Sequence, residues 1–446
     1  MEMEVWALIM FGVVIAALMI GFPVAFTLGA VSMVFGSIFL GFQFFELLPM
    51  RIWGVMTNFT LLAVPLFIFM GIMLEKSGIA EELLETMAML FGRVRGGLAV
   101  SIVIVGALLA ATTGVVGATV VAMGVIALPA LLKHGYRTEL ATGTIAASGT
   151  LGQIIPPSIV LILLADVIGV PVGQLFAGAV VPGFLLIVLF IVFIMIVAWR
   201  KPAYAPAIDV KKLQAERGDS SLLVAVITSL IPPLLLVVAV LGSIFFGIAS
   251  PTESAAVGAL GAMILAILRR RLTMPKLQGT MRQTTRMTSM VFLILIGATT
   301  FGLVFRGMGG DMLVEDLMME LPGGVWGFLL VSMLVVFILG FFLDFIEICF
   351  VVVPIIAPIA IMMDIDPIWF AILIAMNLQT SFLTPPFGFS LFYLKAVAPP
   401  TVRITQIYRG VVPFIIIQLS VLGLLIAFPD VVTWLPQLMD EMQGFG

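Results

Sequence analysis

The chain has 446 residues, of which 62% are hydrophobic and 10% charged, with a net charge of -3 and a mean hydropathy of +1.28. Those values exclude a soluble globular protein and give an all-α polytopic protein whose first partner is the lipid bilayer. Cys349 and His134 are the single cysteine and histidine, which leaves no basis for a disulfide framework, a Cys/His metal centre or a Ser-His hydrolase, and the near-neutral charge gives no nucleic-acid role.

The opening Met1-Glu2-Met3-Glu4 has no basic region, and no small-residue cleavage pattern follows, so the first apolar run is expected to stay in the mature protein. Residues 5–20, 24–42 and roughly 52–74 are expected to span, with a tight turn at Gly21-Phe22-Pro23. Residues 79–90 set Glu81, Glu82 and Glu85 against Leu83, Leu84 and Met87, the pattern of an amphipathic connector lying along the membrane interface. Residues 98–132 are too few for two full crossings, and their centre, Thr112-Thr113-Gly114-Val115-Val116-Gly117, is small and polar. A re-entrant hairpin fits better.

A broken span over residues 137–166 follows, interrupted by Ser148-Gly149-Thr150-Leu151-Gly152-Gln153-Ile154-Ile155-Pro156-Pro157-Ser158. Each proline lacks a backbone donor and forces its predecessor out of helical geometry. In hydrocarbon such a break persists only where protein or a wet cavity satisfies the freed backbone, so it predicts a buried polar site with Ser158 as N-cap of the resuming helix. Residues 172–199 give another span, and 200–221 form a polar linker expected in the cytoplasm. The linker is too short to fold alone, so any ligand-capturing or ATP-hydrolysing unit must be another chain.

Past the linker the order repeats. Pro23 pairs with Pro251 (251 − 23 = 228), Pro129 with Pro358 and Pro156 with Pro385 (each 229), and Gly114 at the same offset falls beside Asp344. Two repeats are therefore expected, 1–199 and 222–446, the second with a hairpin over 323–363 and a broken span over 367–397. Five crossings per repeat is odd, so the repeats should be inverted. With the linker inside, nineteen of the 21 Lys and Arg residues fall on one face, and only Arg51 and Arg306 fall outside. Both termini are then expected outside.

Asp344 and Glu347 are ionisable residues within an apolar run, which makes them functional candidates. Asp344 reads equally as a cation ligand or as the cap of the hairpin's second arm, and the two roles are compatible. Thr112, Thr113, Ser148, Thr150, Asn377, Thr380, Ser381 and Thr384 cluster near the tips and breaks. Singly, such hydroxyls bond back to helix carbonyls; together with unwound carbonyls they suit a hard cation such as Na+. Opposed half-helix N-termini suit an anionic substrate, which places Thr113, Gly114, Pro157, Ser158, Pro386 and Gly388 around it.

Taken as a set, Gly21-Phe22-Pro23, Ala249-Ser250-Pro251-Thr252-Glu253-Ser254-Ala255-Ala256, the Thr112-Thr113-Gly114 tip, Gln153-Ile154-Ile155-Pro156-Pro157-Ser158 and Thr384-Pro385-Pro386-Phe387-Gly388 resemble the large membrane subunit of tripartite ATP-independent periplasmic (TRAP) transporters. The likeness covers nearly the whole chain. It implies an elevator-type, Na+-driven importer of a small organic anion, a dicarboxylate or 2-oxo acid for example, in a bacterial or archaeal inner membrane. It implies a periplasmic substrate-binding protein and a small four-helix membrane subunit, expected as a separate chain. The resemblance places cations between tips and breaks, at Thr112 to Gly114 with Ser148, Thr150 and Gln153, and at Asp344 with Asn377, Thr380, Ser381 and Thr384. A stand-alone Na+-coupled dicarboxylate or arsenite carrier of the same architecture is the alternative. An intramembrane aspartyl protease would need a second aspartate opposite Asp344, and no organic cofactor or catalytic residue is expected.

Overall fold

The computed structural model describes residues 3–113, 116–208 and 222–443. Eight of the described helices are long and apolar enough to cross a membrane, or nine when a bent pair is counted as one span, so the chain is a multi-pass membrane protein. All of its regular structure among the described residues is helical. This follows from hydrocarbon solvent, in which each backbone N–H must find its carbonyl within the segment.

The first helices are α1 (Met3–Ile20), α2 (Val24–Phe39), α3 (Leu48–Met56) and α4 (Ala63–Lys76). The single span expected over residues 52–74 is instead α3 and α4, bent by 55° at the intervening break. Asn58 sits at that bend, and its side-chain oxygen accepts from the Thr60 N–H at 2.9 Å. Next come α5 (Ile79–Phe91), α6 (Gly97–Thr113), α7 (Val116–Lys133), α8 (Thr138–Thr150), α9 (Ile159–Ile168) and α10 (Val172–Arg200). Residues 209–221, most of the expected linker, lie outside the described residues.

The chain resumes with α11 (Leu222–Ser229), α12 (Ile231–Phe245), α13 (Pro251–Leu268), α14 (Met274–Gly307) and α15 (Gly310–Met319). It ends with α16 (Val325–Leu339), α17 (Phe345–Met362), α18 (Pro367–Leu383), α19 (Phe389–Val397), α20 (Ile404–Ala427) and α21 (Asp430–Gln443). Local chemistry sets several starts. Ser250 and Glu253 form a reciprocal capping box on α13, and Asp366 accepts from the Trp369 N–H at 2.7 Å on α18.

The helices pack as two groups. α1 to α4 pack with α12 to α15, chiefly α4 on α13 and α2 on α14; α6 to α10 pack with α16 to α21, chiefly α8 on α20 and on α7. Without a hydrophobic drive between helices in lipid, close backbone approach must supply the attraction. At the α8–α20 crossing a Cβ on Gly143 would stand 2.1 Å from the Gly410 carbonyl oxygen, so only glycine permits it. The ring of Phe414 on α20 meets Phe190 and Phe193 of α10 edge-on, with centroids 5.1 and 5.2 Å apart. The amphipathic α5 bridges towards the second half of the chain: Leu83, Leu84 and Met87 are buried, and Glu82 receives hydrogen bonds from Arg269 at 2.6 Å and Ser229 at 2.7 Å.

Candidate functional site

Helix α8 runs to Thr150, tightens through Leu151–Gln153, unwinds over residues 154–158 and resumes as α9. Ser158 occupies the N-cap position of α9, but its hydroxyl donates backwards to the Gln153 carbonyl at 2.9 Å instead of accepting from the new helix. The reversed bond has a physical reason: a carbonyl freed by the two prolines is costly in apolar surroundings, and Ser158 is the near donor. Pro157 is buried beside it.

The second break lies between α18 and α19. There Ser390, at the start of α19, donates to the Phe382 carbonyl at 2.7 Å, and Tyr408 donates to the Pro386 carbonyl at 2.9 Å. Pro386 is exposed and Gly388 is buried. Asp344 caps the second arm of the adjoining pair α16–α17: its Oδ1 accepts from the Phe345 N–H at 2.8 Å, and Glu347 returns an acceptor to the Asp344 N–H at 3.0 Å. Glu347 is 7% exposed, so two carboxylates sit three residues apart at this turn. In the first pair α6–α7, Gly114 and the side chains of Thr112 and Thr113 lie outside the described residues.

The pairs pack crosswise. α7 rests on α19, where a Cβ on Gly117 would stand 3.0 Å from the Tyr393 ring, and α17 rests on α9. α18 in turn contacts the Leu151–Gln153 turn, so the two breaks are neighbours. At the second break Gly340 approaches Ser381 so closely that a Cβ would meet Ser381 Oγ at 2.1 Å.

The polar side chains here are buried, Thr384 half-buried, and arranged in one way. Ser148, Thr150, Thr380, Ser381 and Thr384 donate to carbonyls of their own helices, at 2.6, 2.8, 2.8, 2.9 and 2.7 Å. Spending the proton on the helix leaves hydroxyl lone pairs to face a neighbour, which suits a cation or a donor. Asn377 donates from Nδ2 to the Met333 carbonyl at 2.6 Å and so ties α18 to α16, on the wall of an apolar groove.

Sequence reading passed over Gln379 and Gln418, which are fully buried with Gln153. Among the described residues, neither amide atom of Gln153 or Gln379 has a protein partner; Gln418 donates to Thr150 Oγ1 at 3.3 Å while its Oε1 has none. An amide buried without partners costs on the order of 1–3 kcal/mol, which makes these glutamines candidates for contact with a bound polar group. The signal available in the sequence was an amide residue inside an apolar helix, as at Gln153. Asn58 was also missed: it donates to Asp166 Oδ1 at 2.5 Å across the two helix groups, and Asp166 lines a cavity of about 730 Å³ together with Ser250 and Asp440.

The sequence from residue 11 to 431 matches the family model of the tripartite ATP-independent periplasmic transporter, DctM component. The chain belongs to this family. Among its relatives, it is 32% identical to the C4-dicarboxylate TRAP transporter large permease protein DctM of Pseudomonas aeruginosa over 391 residues, 87% of this chain and 89% of that protein. It is 28% identical to the sialic acid TRAP transporter large permease protein SiaM of Vibrio cholerae, covering 96% of each. In fold it is similar to the YdaH transporter of Alcanivorax borkumensis, with a TM-score of 0.62 over 88% of this chain and 90% of that one at 14% identity. A TRAP large permease is a transport subunit.

Proposed function

We propose that this TRAP permease imports a small organic anion in symport with Na+, the substrate being delivered by a periplasmic binding protein and the membrane complex completed by a separate small subunit. The observation that carries the reading is the contact of one broken helix, α18, with the Leu151–Gln153 turn of the other, which brings together hydroxyl, amide and carbonyl oxygens near the carboxylate-capped turn at Asp344. Oxygen donors of low charge suit Na+ rather than a transition metal. One ion belongs with Asp344, Asn377, Thr380, Ser381 and Thr384, and another with Thr112, Thr113, Ser148, Thr150 and Gln153. The anion sits where the resuming helices present their N-termini, at Pro157, Ser158, Pro386 and Gly388, with Thr113 and Gly114 closing over it. The names of the relatives, which span a C4-dicarboxylate and sialic acid, support a carboxylate as the common feature.

In this reading residues 1–199 and 222–446 are inverted repeats joined by the cytoplasmic linker 200–221, the two termini lie outside, and α6–α7 and α16–α17 are re-entrant hairpins. The group holding the breaks moves as an elevator against the group built on α1 to α4. The test is reconstitution in liposomes under an inward Na+ gradient, with the small subunit and binding protein present or omitted. Uptake is expected only when both partners are present and the gradient is imposed. Gradient-driven uptake by the large chain alone would return the stand-alone carrier.

A further inference from the structure

The end of α10, the start of α8 and the first turns of α20 enclose a groove of about 480 Å³ remote from the breaks. Four cationic side chains line it, Arg137, Arg200, Lys201 and Arg409, against the single carboxylate of Glu139, which Arg137 engages at 2.9 Å. We propose that this groove binds one acidic phospholipid, its phosphate held by Arg200, Lys201 and Arg409 and an acyl chain laid along Phe193.

Three observations distinguish the groove from an ordinary basic rim. The cations are positioned: Arg137 lies 4.2 Å and Lys201 5.1 Å from the centre of the Tyr204 ring, so one aromatic ring holds both. The segment carrying Lys201 and Tyr204 is itself stitched down, through Arg137 N–H to the Tyr204 carbonyl at 3.0 Å, Gly96 N–H to Ala205 at 3.0 Å and Ile208 N–H to Gly92 at 2.7 Å. And the groove is two-faced along the membrane normal. Arg200 is the last residue of a 29-residue apolar span with exposed Trp199 beside it, the usual mark of the headgroup level. Phe193, two turns earlier, lies about 10 Å deeper at 1.5 Å per residue, in the acyl region. A soluble anion would use the cationic end and leave the apolar wall bare, whereas a phospholipid matches both ends. Basic pockets between spans recognise acidic headgroups in this way.

The test uses the full-length chain in neutral detergent, titrated with phosphatidylglycerol, phosphatidylcholine or inorganic phosphate. Native mass spectrometry counts bound lipid, and thermal shift gives affinity. One phosphatidylglycerol is expected to bind at least about tenfold more tightly than phosphatidylcholine, with no protection by phosphate. Arg200→Gln with Arg409→Gln should cost more than about tenfold in that affinity, since each cation near a headgroup contributes about a factor of five. Glu139→Gln frees Arg137 and should tighten binding a few-fold, a gain that a misfolded variant cannot produce. Equal affinity for both lipids, phosphate binding as tightly as the lipid, or Glu139→Gln without effect would each overturn the proposal.

Discussion

The two helix breaks solve the same problem in different surroundings. In the first, every residue from Leu151 to Ser158 is buried apart from half-buried Ile155, whereas in the second Pro386 and Phe387 are exposed. Both return a serine hydroxyl to the arriving helix, on Gln153 and on Phe382, and 382 − 153 = 229, the offset of the proline pairs. The close contact with the neighbouring helix pair is also shared, and the glycine lies on the pair in both halves. In the first, a Cβ on Gly106 of α6 would stand 2.6 Å from Ser148 Cβ; in the second, one on Gly340 would stand 2.1 Å from Ser381 Oγ. The first broken helix adds a looser contact of its own, where a Cβ on Gly152 would stand 3.3 Å from the Ala110 carbonyl oxygen. What the two breaks share is a serine held against a glycine of the pair.

That equivalence is open to test. Gly340→Ala drives a methyl into Ser381, whose hydroxyl is engaged with Leu378, and should cost about 1–3 kcal/mol and most of the uptake. Gly106→Ala drives the same methyl into Ser148 and should cost a similar amount and most of the uptake; Gly152→Ala alone should cost less than about 1 kcal/mol, because its contact is looser. If Gly106→Ala is tolerated where Gly340→Ala is not, the two contacts are not equivalent.

The tips differ in charge, Asp344 in one and hydroxyls in the other. Asp344→Asn keeps the cap but removes the charge, and is expected to raise the Na+ concentration for half-maximal uptake about tenfold, the ratio worth 1.4 kcal/mol. Thr113→Val and Thr380→Val, with backbone oxygens still in place, should shift it about two- to threefold. An unchanged Na+ dependence in Asp344→Asn reduces Asp344 to its capping bonds. Replacing Gln153 or Gln379 by Met removes an unpartnered amide, so each variant should gain about 1 kcal/mol in stability while losing uptake. Loss of both would make the glutamines ordinary packing. Smallest are Ser158→Ala and Ser390→Ala, each deleting one buried hydrogen bond at about 1 kcal/mol and changing uptake less than twofold, as melting and transport assays would show.

Much of this was legible in the sequence for reasons that differ by element. Prolines announce broken helices because their geometry is intrinsic, and apolar length announces spans because hydrocarbon thickness is fixed. The capping box at Ser250 and Glu253 could have been read from its S-x-x-E spacing. Other features have no local signature. The bend between α3 and α4 rests on Asn58, whose partner Asp166 is 108 residues away. Gln379 and Gln418 become notable only when the packing shows amide atoms sealed without partners among the described residues, and Ser158 looks the same in sequence whether its hydroxyl donates or accepts.

The crosswise seating of α7 on α19 and of α17 on α9 bears on how a cell keeps its gradient. A carrier fails as an energy converter the moment a path stands open at both ends, since ions then run down without cargo. Here neither helix pair can swing away without unseating the half-helix that shapes the opposite break. In the symport proposed above, slippage is thereby opposed by packing before any ion or anion arrives to enforce it.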